Sequence, residues 1–283
     1  MLKIIQITDL HLTPPGIQHI GCDPRQRLEA AIASINAEHA DADLVVFTGD
    51  LAALGQAAAY RQLGECLAKL KLPFQLCLGN GDHRARFRAC FPDVPTDENG
   101  FVQSVTEIDG QHLVFLDTLA ADGDHWGELC DARLLWLNDR LGEIDGAPIL
   151  LFLHHPPFRV GIPLLDSLAL KNPERLASVL AGRNIRHMFF GHLHMAIAGS
   201  WQGIPLSVLR STVSQFALRL GVDPAARSLE APFYAIALVS ADSVVVHFHD
   251  YTYEGPLLEY TPVPSVIVDD EAIAYSFQKA SAS

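Results

Sequence analysis

Phe74-Gln75-Leu76-Cys77-Leu78-Gly79-Asn80-Gly81-Asp82-His83 joins a short apolar run to a polar, glycine-rich turn. An apolar run of this length, stopped by turn residues, reads as a buried strand. The groups packed behind it, an amide, a carboxylate and an imidazole, are metal-binding types. The same arrangement occurs twice upstream. Residues 2–7 are Ile-rich and lead into Thr8-Asp9-Leu10-His11, and residues 42–47 (ADLVVF) lead into Thr48-Gly49-Asp50. Helical patterns join the three runs. Asp23-Pro24 opens one, with Leu28, Ala31, Ile32 and Ile35 at helical spacing, and residues 56–69 carry Tyr60, Leu63 and Leu67 on one face. Strands joined by crossover helices predict an α/β sheet whose site lies at the strand ends.

The later chain extends this pattern. Residues 101–108 and 111–116 flank Asp109-Gly110, a hairpin signal. A helix is expected over 131–141. A buried strand over 148–153 ends in His154-His155-Pro156-Pro157, and a loop with Gly161 and Pro163 follows. Asn172-Pro173 opens a helix to Leu180, and a strand over 185–190 ends in Gly191-His192-Leu193-His194. Short strands are predicted over 199–202, 206–210, 234–240 and 243–251, with Asp242-Ser243 as a turn. Arg84, Arg86 and Arg88 alternate, as on a loop or extended segment, and either face an anion or form a solvated face. His19 and His125 read as surface or loop histidines. Residues 271–283 read as a loose tail or a segment docked on a partner.

The 283 residues suffice for one large domain with a modest appendage, taken here as 1–250 and 251–283. Nearly half of them, 49%, are hydrophobic, which allows a substantial core. A net charge of −13 argues against a nucleic-acid backbone binder, yet leaves room for an anionic substrate beside bound cations. Cys22, Cys66, Cys77, Cys90 and Cys130 show no CxxC spacing, which argues against a disulfide framework or a zinc knot. The opening MLKIIQITDLHL lacks a long apolar segment, so no signal peptide or membrane span is expected and the cytoplasm is the default location. The strand-rich end from Tyr234 onward offers a surface for a homodimer contact.

Asp9, His11, Asp50, Asn80, His154, His192 and His194 all sit at strand ends, and a parallel-type sheet would bring them to one rim. Such a mixed N/O set suits two divalent or mixed-valence transition metal ions, with Mn, Fe and Zn all compatible. A carboxylate such as Asp50 can bridge two ions ~3.5–4 Å apart. Each piece alone also has a plain structural reading: a polar loop at Asp9-Leu10-His11, a turn at Gly49-Asp50, a buried histidine at 154. Together they reinforce one another.

The series Asp9-x-His11, Gly49-Asp50, Gly79-Asn80, His154-His155-Pro156-Pro157 and Gly191-His192-x-His194 resembles the calcineurin-like metallophosphoesterase superfamily. Within it, residues 161–176 and Ser211-Thr212-Val213-Ser214-Gln215-Phe216 resemble the class III cyclic nucleotide phosphodiesterases and related glycerophosphodiesterases. The likeness spans about residues 1–250. It implies a four-layer αββα sandwich with two mixed central sheets. It implies one metal held by Asp9, His11 and His194, a second by Asn80, His154 and His192, and Asp50 as the bridge; His155 would be a spacer or an outer hydrogen bonder. The activity implied is hydrolysis of a small phosphodiester, such as a 3',5'-cyclic nucleotide, by a metal-activated hydroxide. A phosphomonoesterase on the same dinuclear site is the alternative.

One position departs from the resemblance. The family pattern is Gly-Asn-His-Asp or Glu, and Gly81 stands where its histidine would be. Three readings follow. His83 supplies the missing imidazole as a catalytic residue, or the metals suffice and His83 is peripheral, or the chain is a weakened, metal-binding scaffold.

Overall fold

In the computed structural model, which describes residues 1–120, 124–259 and 278–279, the sequence runs resolve into strands, and those over residues 2–7, 44–48, 149–152 and 185–190 are buried along most of their length. The order is β1 (Leu2–Ile7), α1 (Pro24–Glu38), β2 (Leu44–Thr48), α2 (Ala57–Leu67), β3 (Phe74–Cys77) and α3 (Arg84–Cys90). Next come β4 (Ser104–Ile108), β5 (Gln111–Phe115), α4 (Asp131–Glu143), β6 (Ile149–Phe152), α5 (Pro163–Ser167), α6 (Pro173–Leu180) and β7 (Ile185–Phe190). Then follow β8 (Ile197–Trp201), β9 (Ile204–Val208), β10 (Gln215–Phe216), β11 (Arg227–Ser228), β12 (Phe233–Val239) and β13 (Val244–Asp250).

These strands build two mixed sheets. The first has the order β13-β12-β1-β2-β3, parallel across β1, β2 and β3 and antiparallel across β12 and β13. The second has the order β4-β5-β6-β7-β9-β8, parallel from β5 through β9, with antiparallel pairs at both edges. Parallel neighbours need crossover connections, which the helical stretches supply.

Three apolar clusters explain the layering. Leu2, Ile4, Leu44 and Val46 of the first sheet meet Leu113, Phe115, Phe152 and Phe189 of the second, so the sheets pack face to face. The phenyl rings of Phe115, Phe152 and Phe189 stack successively, with centroids 5.2 and 4.6 Å apart. The outer face of the first sheet buries Leu28, Ile32, Tyr60, Leu63 and Phe87 from α1, α2 and α3. That of the second buries Leu134, Leu137, Leu165, Leu176 and Leu180 from α4, α5 and α6. Helices therefore cover both outer faces, and the expected α/β sandwich is what forms.

Two segments differ from the sequence reading. Residues 84–90 are the helix α3, because the buried Phe87 must face α2 and Tyr60, whose ring lies 5.5 Å away. Three arginines at alternate positions are too few to separate an extended period from a helical one. Their side chains consequently diverge: Arg84 forks onto Asp117 at 2.7 and 2.9 Å, Arg86 reaches Gly55 O, and Arg88 reaches Gly100 O. Residues 163–167, expected as loop, form the short α5, started by Pro163 at its first position.

Residues Met1–Tyr251 make one compact unit and Thr252–Ser283 another. In the second, β14 (Leu258–Glu259) pairs antiparallel with β15 (Gln278–Lys279). Apart from residues 278–279, the segment 271–283 lies outside the described residues. The five cysteines are free. Among the described residues, no helix is long and apolar enough to cross a membrane.

Candidate metal centre

The turns after β1, β2, β3, β6 and β7 carry the seven residues singled out by sequence. Hydrogen bonds lace these turns together: Asp9 N donates to Gly49 O (3.0 Å), His11 N to Asp50 O (2.8 Å) and Gly191 N to His154 O (3.2 Å). To aim side chains inward immediately after a strand, the backbone must reverse sharply. Asp9, His11, Asp50, His192 and His194 accordingly adopt left-handed φ of 53°, 45°, 51°, 70° and 48°. Each such residue costs on the order of 1 kcal/mol, and Asp and His are among the side chains that tolerate it best. The strain is concentrated where the polar groups converge.

The convergence yields two groups. Asp9, His11, Asp50 and His194 form one, and His154, His155 and His192 the other; within each group the potential ligand atoms lie within 4.8 Å of one another. Asp50 spans them. Its Oδ2 lies 3.5 Å from His11 Nε2, and its Oδ1 lies 3.4 Å from His154 Nε2. The Gly81 N–H holds that Oδ1 at 2.6 Å. Asn80 Oδ1, His154 Nε2, His155 Nε2 and His192 Nε2 are buried with no hydrogen-bond partner. Buried polar atoms are ordinarily satisfied, so a cluster of orphaned lone pairs fits bound cations. His11 Nε2 and His194 Nε2 stand 3.0 Å apart, another pair that a cation would reconcile.

Outer hydrogen bonds set the tautomers. His194 Nδ1 donates to Ser214 O at 2.6 Å and His154 Nδ1 to Thr48 O at 2.7 Å, which leaves each Nε2 lone pair facing inward. Burial, reinforced by His194, keeps His11 well below the usual imidazole range; burial and His154 push His192 down to about 3. The His11 and His192 rings are therefore neutral at physiological pH. Burial and then Asp9 push Asp50 up to about 7. Burial alone would also raise Asp9, yet His194, His154 and His11 hold it below the ordinary carboxylate range. Two buried carboxyl groups among imidazoles form a donor set that suits divalent ions.

Several residues around the centre were not evident from sequence. Asp82 accepts from Leu51 N, Ala52 N, Gly79 N and Tyr60 OH at 3.0–3.1 Å, clamping the turn after β2 to the turn after β3. Ser211 Oγ donates to the Asp9 carbonyl at 2.7 Å. His19, expected as a surface or loop residue, is half-buried and stacks flat on His11 with centroids 5.0 Å apart. His125 is exposed, as expected, but its Nδ1 lies 3.3 Å from Asn80 Nδ2. Arg227 lies over the Phe216 ring at 4.2 Å, donates to Ser214 Oγ at 3.0 Å and has Nη1 3.2 Å from His194 Nδ1; among the described residues it makes no carboxylate ion pair. His155 belongs to the second group, and its Nδ1 is tied to Thr118 Oγ1 at 2.8 Å.

His83, for which a catalytic and a peripheral reading were both open, caps a helix in the structure. It is exposed, and its Nδ1 accepts from Arg86 N at 3.4 Å as the N-cap of α3. It lines a cleft of about 410 Å³ with Arg88, Asn99 and Phe101. His83→Ala is therefore expected to cost about 0.5 kcal/mol in thermal or urea unfolding, the low end for a cap. Its kcat/KM on a diester with a poor leaving group should change by less than about threefold. A drop in the ~10²–10⁴ range typical of a general acid would restore the catalytic assignment.

Residues 2–196 match the sequence model of the calcineurin-like phosphoesterases. The chain is 43% identical over 262 residues to a Rhodopseudomonas palustris protein named probable cyclic nucleotide phosphodiesterase, covering 90% of this chain and 95% of that one. It is 32% identical over 214 residues to the cAMP/cGMP dual specificity phosphodiesterase of Mycobacterium tuberculosis, covering 74% and 67%. It is 30% identical over 233 residues to a probable glycerophosphodiester phosphodiesterase of Arcobacter nitrofigilis, covering 81% and 85%. The matched stretch runs from β1 past His194 and takes in every strand end that feeds the two groups. The chain thus belongs to the calcineurin-like phosphoesterase family, as one of its metal-dependent phosphodiesterases.

Proposed function

We propose that this chain hydrolyses a 3',5'-cyclic nucleotide. In this reading Asp9, His11 and His194 hold one ion, Asn80, His154 and His192 hold the other, and Asp50 bridges them. The observation that carries the ligand assignment is the Asp50 carboxylate, with one oxygen turned to His11 and the other to His154. Two bound ions would supply Lewis acidity for the phosphoryl oxygens and an activated water. The chain's own residues do the rest. The turns after the strands fix the ligands, and the outer carbonyls of Thr48 and Ser214 hold the imidazole tautomers. The Arg227 guanidinium, without a carboxylate ion pair among the described residues, adds positive charge on the His194 side, where an anionic diester would approach. The cyclic substrate is favoured by the names of two of the relatives. A glycerophosphodiester is the second reading, favoured by the name of the third.

The test is a metal-reconstituted assay across cAMP, cGMP, a glycerophosphodiester, bis-nitrophenyl phosphate and nitrophenyl phosphate. A chelator should abolish turnover, and Mn²⁺, Fe²⁺ or Zn²⁺ should restore it. We expect kcat/KM for a cyclic nucleotide to exceed that for the glycerophosphodiester by at least about tenfold, ~1.4 kcal/mol in transition-state stabilisation. A monoester turned over faster than every diester would overturn the proposal.

A further inference from the structure

Asn80 is the one amide of the proposed ligand set, and its tip offers two chemically different atoms. Its carbonyl oxygen can bind a cation; its amide nitrogen carries only donors. A half-turn of the amide would convert a ligand into a group that repels the ion. Oδ1 is the atom buried without a partner, and Nδ2 is the atom 3.3 Å from His125 Nδ1. Because Nδ2 can only donate, Nδ1 is the acceptor in this contact, which puts the ring proton on Nε2. In that tautomer the ring rejects the reversed amide, since two lone pairs would then face each other.

The backbone that carries His125 is well fastened although its side chain is exposed. Leu119 and Gly127 form a bridge, Glu128 N donates to Thr118 O at 3.0 Å, and Lys171 N donates to Gly127 O at 2.9 Å. The Lys171 ammonium sits 3.4 Å above the neighbouring Trp126 ring. The imidazole is thus delivered to Asn80 from 45 residues away by backbone fastened just beyond it, at Gly127 and Glu128.

We propose that His125 is a positioning residue that orients the Asn80 amide so that Oδ1 faces the His154–His192 group. This rests on the ligand assignment above and adds a residue to it. Outer partners of metal ligands typically govern ~10–100-fold in metal affinity. His125 should act on one of the two ions only, because its contact is with Asn80 and not with the Asp9 group.

The experiment is titration of the metal-free full chain with Mn²⁺, followed by calorimetry or equilibrium dialysis. His125→Ala should weaken the second equivalent by about 10–100-fold and leave the first unchanged. His125→Gln, which keeps an acceptor, should recover most of the loss. In an Asn80→Asp background either oxygen can serve, so adding His125→Ala should change the second equivalent by less than about twofold. Wild-type-like binding of both equivalents by His125→Ala overturns the proposal, as does an equal loss in the Asn80→Asp background. Fewer than two equivalents bound by the wild type would instead overturn the ligand assignment, and this inference with it.

Discussion

Asp50→Asn is expected to lower diester turnover by about 10³-fold or more and to leave the chain with fewer than two tightly bound ions. The substitution preserves shape and keeps an oxygen to accept from Gly81 N, now 2.6 Å away. It removes the charge and the second oxygen that together let residue 50 serve His11 and His154 at once. Electrostatic stabilisation by paired ions is worth several kcal/mol, and ~1.4 kcal/mol is one decade in rate. The metal-free variant should respond in the opposite sense. Burial and Asp9 push the Asp50 carboxyl up to about 7, so the folded wild type holds a proton there that the unfolded chain releases near pH 4. Between those values the folded state binds more protons, and the stability that Asp50 contributes falls as pH rises. Above pH 7, without metal, the asparagine variant should therefore melt higher than the wild type, with the gap closing toward pH 4. A variant that binds two ions and turns over at the wild-type rate would remove Asp50 from the centre; an unaltered metal-free melting curve at pH 8 would sink the electrostatic account.

This opposition shows what the centre costs. Two buried carboxylates, orphaned imidazole nitrogens and five left-handed non-glycine residues are each unfavourable without a ligand. They are tolerated because the surrounding sheets leave the turns little freedom. The same fact explains why so much was legible in the sequence. Strands buried on both faces produce unbroken apolar runs, and the residue types after them are too polar to be core. Thus Asp9, Asp50, Asn80, His154 and His192 could be read as one rim before any coordinates. The outer residues could not. His125 reaches Asn80 through a loop with no periodicity, and His19 meets His11 across a turn containing Pro14, Pro15 and Gly16. Arg227 arrives on β11, a strand of only two residues. At His83, two residues beyond Gly81, a helix start at Arg84 makes the ring a cap, which the sequence spacing did not reveal.

Gly81→His restores the residue found in the family pattern, yet it is expected to weaken this enzyme. A Cβ at position 81 would stand 2.5 Å from the Ala52 carbonyl oxygen, 3.3 Å from that of Ala53 and 3.3 Å from Asp50 Oδ1. The first two are backbone atoms, and the peptide that carries the Ala52 carbonyl is pinned by Ala53 N donating to Leu12 O at 2.9 Å. Relief must come from moving the turn itself, which lengthens the Gly81 N–Asp50 Oδ1 bond that aims the Asp50 carboxylate. Overpacking of this kind costs about 1–3 kcal/mol, and disturbing an outer partner costs about 10–100-fold in metal affinity. Gly81→Ala separates sterics from chemistry, since it adds the Cβ without the imidazole. Both variants should lose thermal stability and metal affinity together. Gly79→Ala should be worse still, because its Cβ would fall 2.3 Å from Asp50 Oδ1, 2.5 Å from Asp50 N and 2.7 Å from His154 Cε1. The expected order of metal affinity is wild type, then the two Gly81 variants, then Gly79→Ala. If Gly81→His turned over a poor diester faster than wild type while Gly81→Ala did not, the imidazole would outweigh the strain. Gly81 would then be a lost catalytic group rather than a close-packing requirement of the turn that carries Asn80.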